Sequence, residues 1–126
     1  MQKQNHYSKY WVENGQLHRE DGPAIEWNHG NKFWYKNGKL HREDGPAKEF
    51  SNGEKHWYIN GERHRDDGPA KELSNGEKHW YKEDRLHNTN GPAIEYPDGT
   101  KEYWLNGLFY DYTKWYAIVN NLEKFI

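Results

Sequence analysis

Side chains that could bind ligands recur in this chain at an interval of 23 residues. The phrase His-Arg-Glu-Asp-Gly-Pro-Ala begins at His18 and at His41, returns as His-Arg-Asp-Asp-Gly-Pro-Ala at His64, and decays to His-Asn-Thr-Asn-Gly-Pro-Ala at His87. The same register carries Trp11, Trp34, Trp57 and Trp80, followed by Tyr103. Imidazole could bind a metal ion, guanidinium could grip a phosphate, and indole could stack on a base or a sugar.

The histidine column does not favour a metal site. Equivalent residues of adjacent repeats should lie two strands apart, about 9.5 Å in a β-sheet. One zinc ion needs its ligating nitrogens within roughly 4 Å of each other. We therefore expect no metal or other cofactor, and we expect each histidine to stack on the tryptophan of its own repeat and to hydrogen-bond a turn.

The arginine column, Arg19, Arg42 and Arg65, has two interpretations. A guanidinium in this position could bind a phosphate through two parallel hydrogen bonds. Each arginine is, however, followed within two residues by acids, as in Glu43-Asp44. An Arg–Asp pair that holds the connection before Gly-Pro is the favoured interpretation, and a ligand-facing role is the alternative.

The tryptophans are also open to two interpretations, ligand stacking and cross-strand packing, and we favour packing. The candidate binding residues are aromatic, cationic or imidazole side chains, drawn from the repeats and from the divergent segments Arg85–Asn90 and Leu108–Tyr116. They are Trp34, Trp57, Trp80, Arg42, Arg65, His41, His64, Arg85, Tyr110 and Trp115.

Catalysis is not indicated by any motif. There is no Ser/His/Asp arrangement, Gly-rich phosphate loop or His-Glu-x-x-His sequence. Acid–histidine pairs such as Glu49 with His56 recur as Glu72 with His79, as scaffold pairs do and a unique active site does not. We therefore expect no catalytic residues and no enzymatic activity.

Composition restricts the class of protein further. Of the 126 residues, only 18 are Leu, Ile, Val or Phe, whereas aromatic residues make up 17% and there is no cysteine. An aliphatic α/β core, a disulfide framework and a thiolate metal site are thereby excluded. The net charge of −2 gives no general attraction to nucleic acid, and no apolar run reaches the roughly 18 residues of a membrane span. We expect a cytoplasmic protein, in the host cytoplasm if a phage encodes it.

Turn signals predict the architecture. Asn-Gly pairs favour two-residue type I′ hairpin turns, and each repeat also contains a second glycine turn and the segment Asp-Gly-Pro-Ala, whose Gly is expected to supply a positive φ. The prediction is an all-β repeat, an elongated antiparallel meander of about ten strands with two per repeat. A two-residue turn at Asn52-Gly53 would place Lys48 opposite Trp57.

The C-terminal segment changes period. Apolar residues at spacings of three and four predict an amphipathic helix over 113–126, N-capped by Thr113, with a stripe made of Tyr112, Trp115, Tyr116, Val119, Leu122 and Ile126. The chain then reads as a single repeat domain of 1–126. Residues 1–9 form an N-terminal edge or cap, 10–107 form four and a half repeats, and 108–126 form a helical cap.

The repeat unit Trp-Tyr-x-Asn-Gly-x-Leu-His-Arg-x-Asp-Gly-Pro-Ala-x-Glu resembles MORN-type repeats, in particular the MORN-like arrays of phage, giant-virus and bacterial proteins. The resemblance covers roughly residues 10–107. It departs at Arg19, Arg42 and Arg65, because a Gly normally follows closely after the His position. The resemblance implies an elongated antiparallel sheet. Related arrays scaffold proteins, touch membranes, or act as antitoxin-like and virus–host interaction modules.

The functional expectation is a non-catalytic binding module that engages or occludes a partner protein, such as a phage or viral host-interaction or counter-defence inhibitor. One alternative is a sponge that sequesters a nucleotide signal between aromatic and arginine side chains. A further alternative is a structural scaffold or an antitoxin-like protein. Exposed backbone near Tyr7–Val12 also predicts a homodimer, formed through this edge or through the Trp-rich face.

Overall fold

The computed structural model describes residues 1–122. Within them, the first nine strands are β1 (Gln2–Gln4), β2 (Ser8–Glu13), β3 (Gln16–Leu17), β4 (Ile25–Trp27), β5 (Lys32–Phe33), β6 (Tyr35–Lys36), β7 (Lys39–Leu40), β8 (Lys48–Glu49) and β9 (Lys55–His56). The remaining elements are β10 (Tyr58–Ile59), β11 (Glu62–Arg63), β12 (Lys71–Glu72), β13 (Lys78–His79), β14 (Tyr81–Lys82), β15 (Arg85–Leu86), β16 (Ile94–Glu95), β17 (Lys101–Leu105), β18 (Leu108–Tyr110) and the helix α1 (Tyr112–Val119).

An antiparallel meander with a C-terminal helix confirms the predicted fold class. Within residues 1–122, twelve strands form one main sheet in the order β1-β2-β4-β5-β8-β9-β12-β13-β16-β17-β18, with β3 attached to β2. Three separate hairpins, β6-β7, β10-β11 and β14-β15, lie beside it. Each central repeat therefore contributes two strands to the main sheet and two to a hairpin, so the strands are shorter and more numerous than predicted.

The central tryptophans mark the points where the chain leaves the main sheet for a hairpin. The backbone N–H of Trp34 donates to Ala47 O at 2.7 Å, and the N–H of His41 donates to Trp34 O at 3.1 Å. Residues 42–46 therefore bulge out as a loop between two residues that are both bonded to the same tryptophan. The alanine at this junction is fully buried in four repeats, as Ala24, Ala47, Ala70 and Ala93.

Backbone hydrogen-bond ladders, more than a large core, hold the repeats together. Among residues 1–122 no large side chain is fully buried. One row of the main sheet, which we call the outer row, alternates in charge from strand to strand: Lys9, Glu26, Lys32, Glu49, Lys55, Glu72, Lys78, Glu95 and Lys101. Opposite charges on neighbouring strands favour this register over one that opposes like charges. The ion pairs of Glu26, Glu49 and Glu72 are made with Arg19, Arg42 and Arg65.

The two kinds of turn differ from each other. Asn37 and Gly38 both have positive φ, at 50° and 79°, and Tyr35 pairs with Leu40, as the type I′ prediction requires. At Asn52-Gly53 only the glycine has positive φ, and the N–H of Phe50 donates to Glu54 O. This is a three-residue turn with a glycine bulge. The predicted register was wrong here, since Lys48 pairs with His56 and not with Trp57.

The helix α1 closes one end of the array. Its N-cap is Asp111, whose carboxylate accepts from the N–H of Lys114, so the predicted cap at Thr113 was wrong by two residues. Trp115 is only 6% exposed, and its indole N–H donates to Asn88 O at 3.0 Å. The helix ends at Val119, and Ile126 of the predicted stripe lies outside the described residues.

The other end is closed by β1, a strand that the sequence did not indicate. Gln2 pairs with Trp11 and Lys3 pairs with Tyr10. The outermost strand is therefore the polar segment Gln2–Gln4, so the predicted edge at Tyr7–Val12 is covered along β2. Polar edge strands discourage association through the sheet edge.

One turn imposes left-handed backbone on unsuitable residues. Glu83 and Asp84 occupy the Asn-Gly position of the fourth repeat with φ of 49° and 69°. Asparagine tolerates this conformation better than glutamate. We expect Glu83→Asn to raise the free energy of unfolding by about 0.5–1 kcal/mol, measured by urea denaturation. The control Glu62→Asn, in strand β11, should give no gain, and equal midpoints for both variants would contradict the prediction.

Candidate functional site

Each arginine of the repeat is held against its own tryptophan. Arg42 Cζ lies 3.9 Å from the ring centroid of Trp34, and Arg42 Nε donates to Asp44 Oδ1 at 3.0 Å. Its Nη1 donates to Pro46 O and to Glu49 Oε1, both at 3.1 Å. The same stack recurs at 3.8 Å for Arg19 on Trp11 and at 3.9 Å for Arg65 on Trp57. Each arginine therefore forms the Arg–Asp pair of the favoured interpretation, and it also stacks on a tryptophan ring.

The glycine of each Asp-Gly-Pro segment makes room for this stack. A Cβ placed on Gly45 would lie 2.9 Å from Arg42 Cζ, and the same distance separates the equivalent atoms at Gly22 and Gly68. None of these three glycines has a positive φ. The prediction of a positive φ here was wrong, and the physical reason for glycine is the close approach of the guanidinium.

The fourth repeat keeps the loop without the arginine. Asn88 stands in the arginine position, and its Nδ2 donates to Pro92 O at 2.9 Å, as Nη1 of Arg42 does to Pro46 O. Its Oδ1 accepts from the N–H of Asn90. The side-chain amide of Asn88 thus closes the loop in place of the arginine. It carries no charge, so it cannot form a cation–π contact with the ring of Trp80.

The histidine column joins each repeat to the next. His41 Nδ1 accepts from the backbone N–H of Asn60 at 2.9 Å, and His18, His64 and His87 make the equivalent bond to the following turn. Since Nδ1 is an acceptor, the network assigns the proton to Nε2. In His18 and His64 this nitrogen contacts the acid two residues later, at 2.8 and 3.0 Å. Each histidine bonds a turn as predicted, and the turn belongs to the next repeat. The predicted stacking of the histidine on its own tryptophan was wrong, because an arginine covers the rings of Trp11, Trp34 and Trp57.

The loops and tryptophans together form a surface that we call the loop face: residues 19–23, 42–46, 65–69 and 88–92 with Trp34, Trp57 and Trp80 between them. Open clefts of about 560, 820 and 550 Å³ separate successive loops, and each is lined by one of these tryptophans. The carboxylates rise from the loops, with Glu43 and Asp44 82% and 87% exposed, while Arg42 is only 22% exposed. The loop face therefore presents negative charge outwards above aromatic clefts.

The candidate residues divide between this surface and the rest of the molecule. His41, His64, Arg42 and Arg65 line the clefts together with the tryptophans. Arg85 lies on hairpin strand β15, Tyr110 lies on the edge strand β18, and Trp115 is buried in the cap. These last three do not join the loop face.

A second cluster was missed from the sequence: the inner row Lys48, His56, Lys71 and His79, which are directly opposed on adjacent strands. His56 Nε2 lies 2.9 Å from Glu54, and His79 Nε2 lies 2.5 Å from Glu77, while both Nδ1 atoms are buried without a hydrogen-bond partner. The sequence did contain a sign of this cluster. In the central repeats, Lys48 and Lys71 occupy the repeat position that isoleucine fills at the ends of the array, as Ile25 and Ile94.

Burial lowers the pKa of three side chains of the inner row, Lys48, His56 and Lys71. The pKa of Lys48 is lowered by burial, with Nζ 5.1 Å from the ring of Phe33 and 5.4 Å from that of Tyr58. Burial also lowers the pKa of His56, and the charges of Lys71 and Lys48 act in the same direction, although the hydrogen bond to Glu54 opposes them. These surroundings favour the neutral imidazole of His56.

Stability should consequently fall in mild acid. Because the folded-state pKa of His56 lies below its ordinary value of 6.5, the unfolded chain takes up the proton first as the pH falls. We expect the free energy of unfolding to decrease from pH 7.5 to 5.5. His56→Phe, which copies Phe33 of the first repeat, should flatten this profile, measured by urea denaturation at each pH. An identical profile in the variant would contradict the assignment.

The glycine requirement can be tested with a matched pair. Gly45→Ala should lower the free energy of unfolding by about 1–2 kcal/mol, because the new methyl group displaces the Arg42 stack. Gly91→Ala is the control, since the nearest atom to its Cβ is Asn88 Nδ2 at 3.8 Å, and should change stability by less than about 0.5 kcal/mol. In an Arg42→Asn background, Gly45→Ala should also become neutral. A loss that persists there would show that the backbone, and not the arginine, requires glycine.

Comparison with known proteins gives no family for this chain: no family model, curated protein or solved structure matches it. Residues 1–122 contain no group of three or more metal-ligating side chains arranged to hold an ion. The single helix in this part of the chain is too short to cross a membrane. The loop face and the inner row are therefore the features from which a function can be argued.

Proposed function

We propose that this protein is a non-catalytic module that binds an extended segment of a partner protein along the loop face. The observation that carries the proposal is the row of equivalent clefts, each lined by a tryptophan and bordered by exposed carboxylates. The loops beside the clefts are braced by the arginine stacks. A braced surface loses little conformational entropy when it binds a partner, which favours affinity.

The recurrence of the polar groups supports a binding role over catalysis. The imidazoles of His18, His41 and His64 each have Nδ1 engaged by a turn N–H and an acid close to Nε2. The same arrangement in three successive repeats provides equivalent contacts and no single reactive centre. Such repetition suits a surface that engages a partner at several points.

The nucleotide alternative has less support. The arginine donors Nε and Nη1 already bond Asp, Pro and Glu oxygens in the chain, and the guanidinium covers one face of the tryptophan. The outermost groups are carboxylates, which repel phosphate. Occlusion of a host protein, scaffolding and antitoxin-like activity, the roles that the MORN-type resemblance suggests, would all use the same contact with a protein segment.

The proposal predicts that a partner binds through the loop face specifically. The immobilised protein should retain a partner from the lysate of its own host, identified by mass spectrometry. Glu43→Lys with Asp66→Lys should reduce retention at least tenfold, because it reverses the charge around the middle cleft. The matched control, Glu62→Lys with Glu83→Lys, changes the hairpin strand and turn instead and should retain the partner.

Two results would contradict this proposal. One is equal loss of the partner in the loop-face variant and in the control, which would place the contact elsewhere. The other is release, on heating the purified protein, of a small molecule that absorbs near 260 nm and has the mass of a nucleotide. That result would favour sequestration of a nucleotide signal.

A further inference from the structure

We propose that the segment bound by the loop face is a basic, proline-rich polyproline II helix with a cationic residue at every third position. This inference rests on the proposed function and specifies the chemistry of the partner. It is carried by three observations: the spacing of the clefts, the aromatic side chain in each of them, and the sign of the exposed charge.

The spacing of the clefts follows from the strand count. In the main sheet, each 23-residue repeat adds two strands, as in the register that joins Lys32 to Glu49 and Glu49 to Lys55. Strands lie 4.7–4.9 Å apart, so one repeat advances about 9.4–9.8 Å. The hairpins also advance by two strands per repeat, and the N–H of Gly61 donates to Leu40 O at 2.8 Å to join successive hairpins. Because both layers advance equally, the clefts recur at about the same distance.

A polyproline II helix is the peptide conformation in which the distance between equivalent side chains matches the distance between clefts. It rises about 3.1 Å per residue with three residues per turn, so every third side chain points the same way at about 9.3 Å. In an α-helix, side chains on one face recur after seven residues, at about 10.5 Å, and drift by about 1 Å per cleft. In a β-strand, side chains three residues apart point to opposite faces. Only the first of these conformations presents one equivalent side chain to each cleft.

The chemistry of the clefts fits the same ligand. The middle cleft is lined by Trp57 and Pro46, and polyproline II segments dock in grooves with aromatic side chains. Its border carries Glu43 and Asp66, which are 82% and 79% exposed. Arg65 of the same cleft is 23% exposed and already paired with Asp67 at 3.1 Å. A cation on the ligand therefore meets carboxylates before it meets the paired guanidinium groups.

The number of acidic loops also predicts the minimum length of the ligand. Three loops carry two acids each, whereas the fourth has Thr89 and Asn90 in those positions. Three cations at intervals of three residues would match the three acidic loops. Three such cations span seven residues, so the minimum ligand on this argument is about seven residues long, just over two turns of polyproline II.

Synthetic peptides test the spacing directly. The probes are (Arg-Pro-Pro)₄ and a peptide of the same four arginines and eight prolines with the arginines consecutive, titrated by calorimetry at about 0.15 M salt. We expect the evenly spaced peptide to bind at least tenfold more tightly. Glu43→Gln with Asp66→Asn should weaken it at least tenfold, whereas Glu62→Gln with Glu83→Gln should leave it unchanged. Circular dichroism and the thermal midpoint of each variant confirm that it is folded.

The outcomes separate this inference from the proposed function. Equal affinity for the two peptides would overturn it, because binding would then depend on total charge and not on spacing. Failure of both peptides to bind, while the loop face still retains a protein partner from lysate, would overturn this inference and leave the proposed function standing. Equal weakening by the loop-face and control variants would also overturn it.

Discussion

The structure depends on the stack of an arginine on the tryptophan at which the chain leaves the main sheet. In the second repeat, Arg42 covers Trp34, closes its own loop through Pro46 O, and reaches Glu49 on the outer row of the main sheet. One side chain therefore connects the junction, the loop and the sheet. A cation–π contact contributes about 0.5–2 kcal/mol, and this contact recurs in three repeats of a chain with few aliphatic residues.

The stack and the charged outer row together determine how each repeat meets the next. Glu49 lies between Lys32 and Lys55 on the neighbouring strands and also accepts from Arg42. The register of the main sheet and the position of the loop are thus set by the same carboxylate. A slip of one residue would turn Glu49 to the opposite face of the sheet, away from Arg42, which helps strands of two residues to keep one register.

Much of the fold could be predicted, and the misses have physical causes. The Asn-Gly pairs indicated hairpins, yet Asn37-Gly38 forms a two-residue turn whereas Asn52-Gly53 lies in a three-residue turn. The dipeptide alone does not decide between these turns, because a type I turn followed by a glycine bulge accepts the same residues. The arginine stack could not be read from the sequence, since a turn glycine and a glycine that admits a guanidinium look alike there.

The closure of each loop and the negative charge displayed on it depend on different side chains. Asn88 replaces the arginine in the fourth repeat and the loop keeps its closing bond to Pro92 O. Glu43 lies 3.6 Å from His41 and is 82% exposed, and an exposed pair of this kind contributes about 0–1 kcal/mol. The equivalent acids lie closer to their histidines, Glu20 at 2.8 Å and Asp66 at 3.0 Å, so an acid at this position also takes part in the histidine contacts. Their side chains are nevertheless 68–82% exposed, so each of three repeats displays a carboxylate that the proposed ligand would meet.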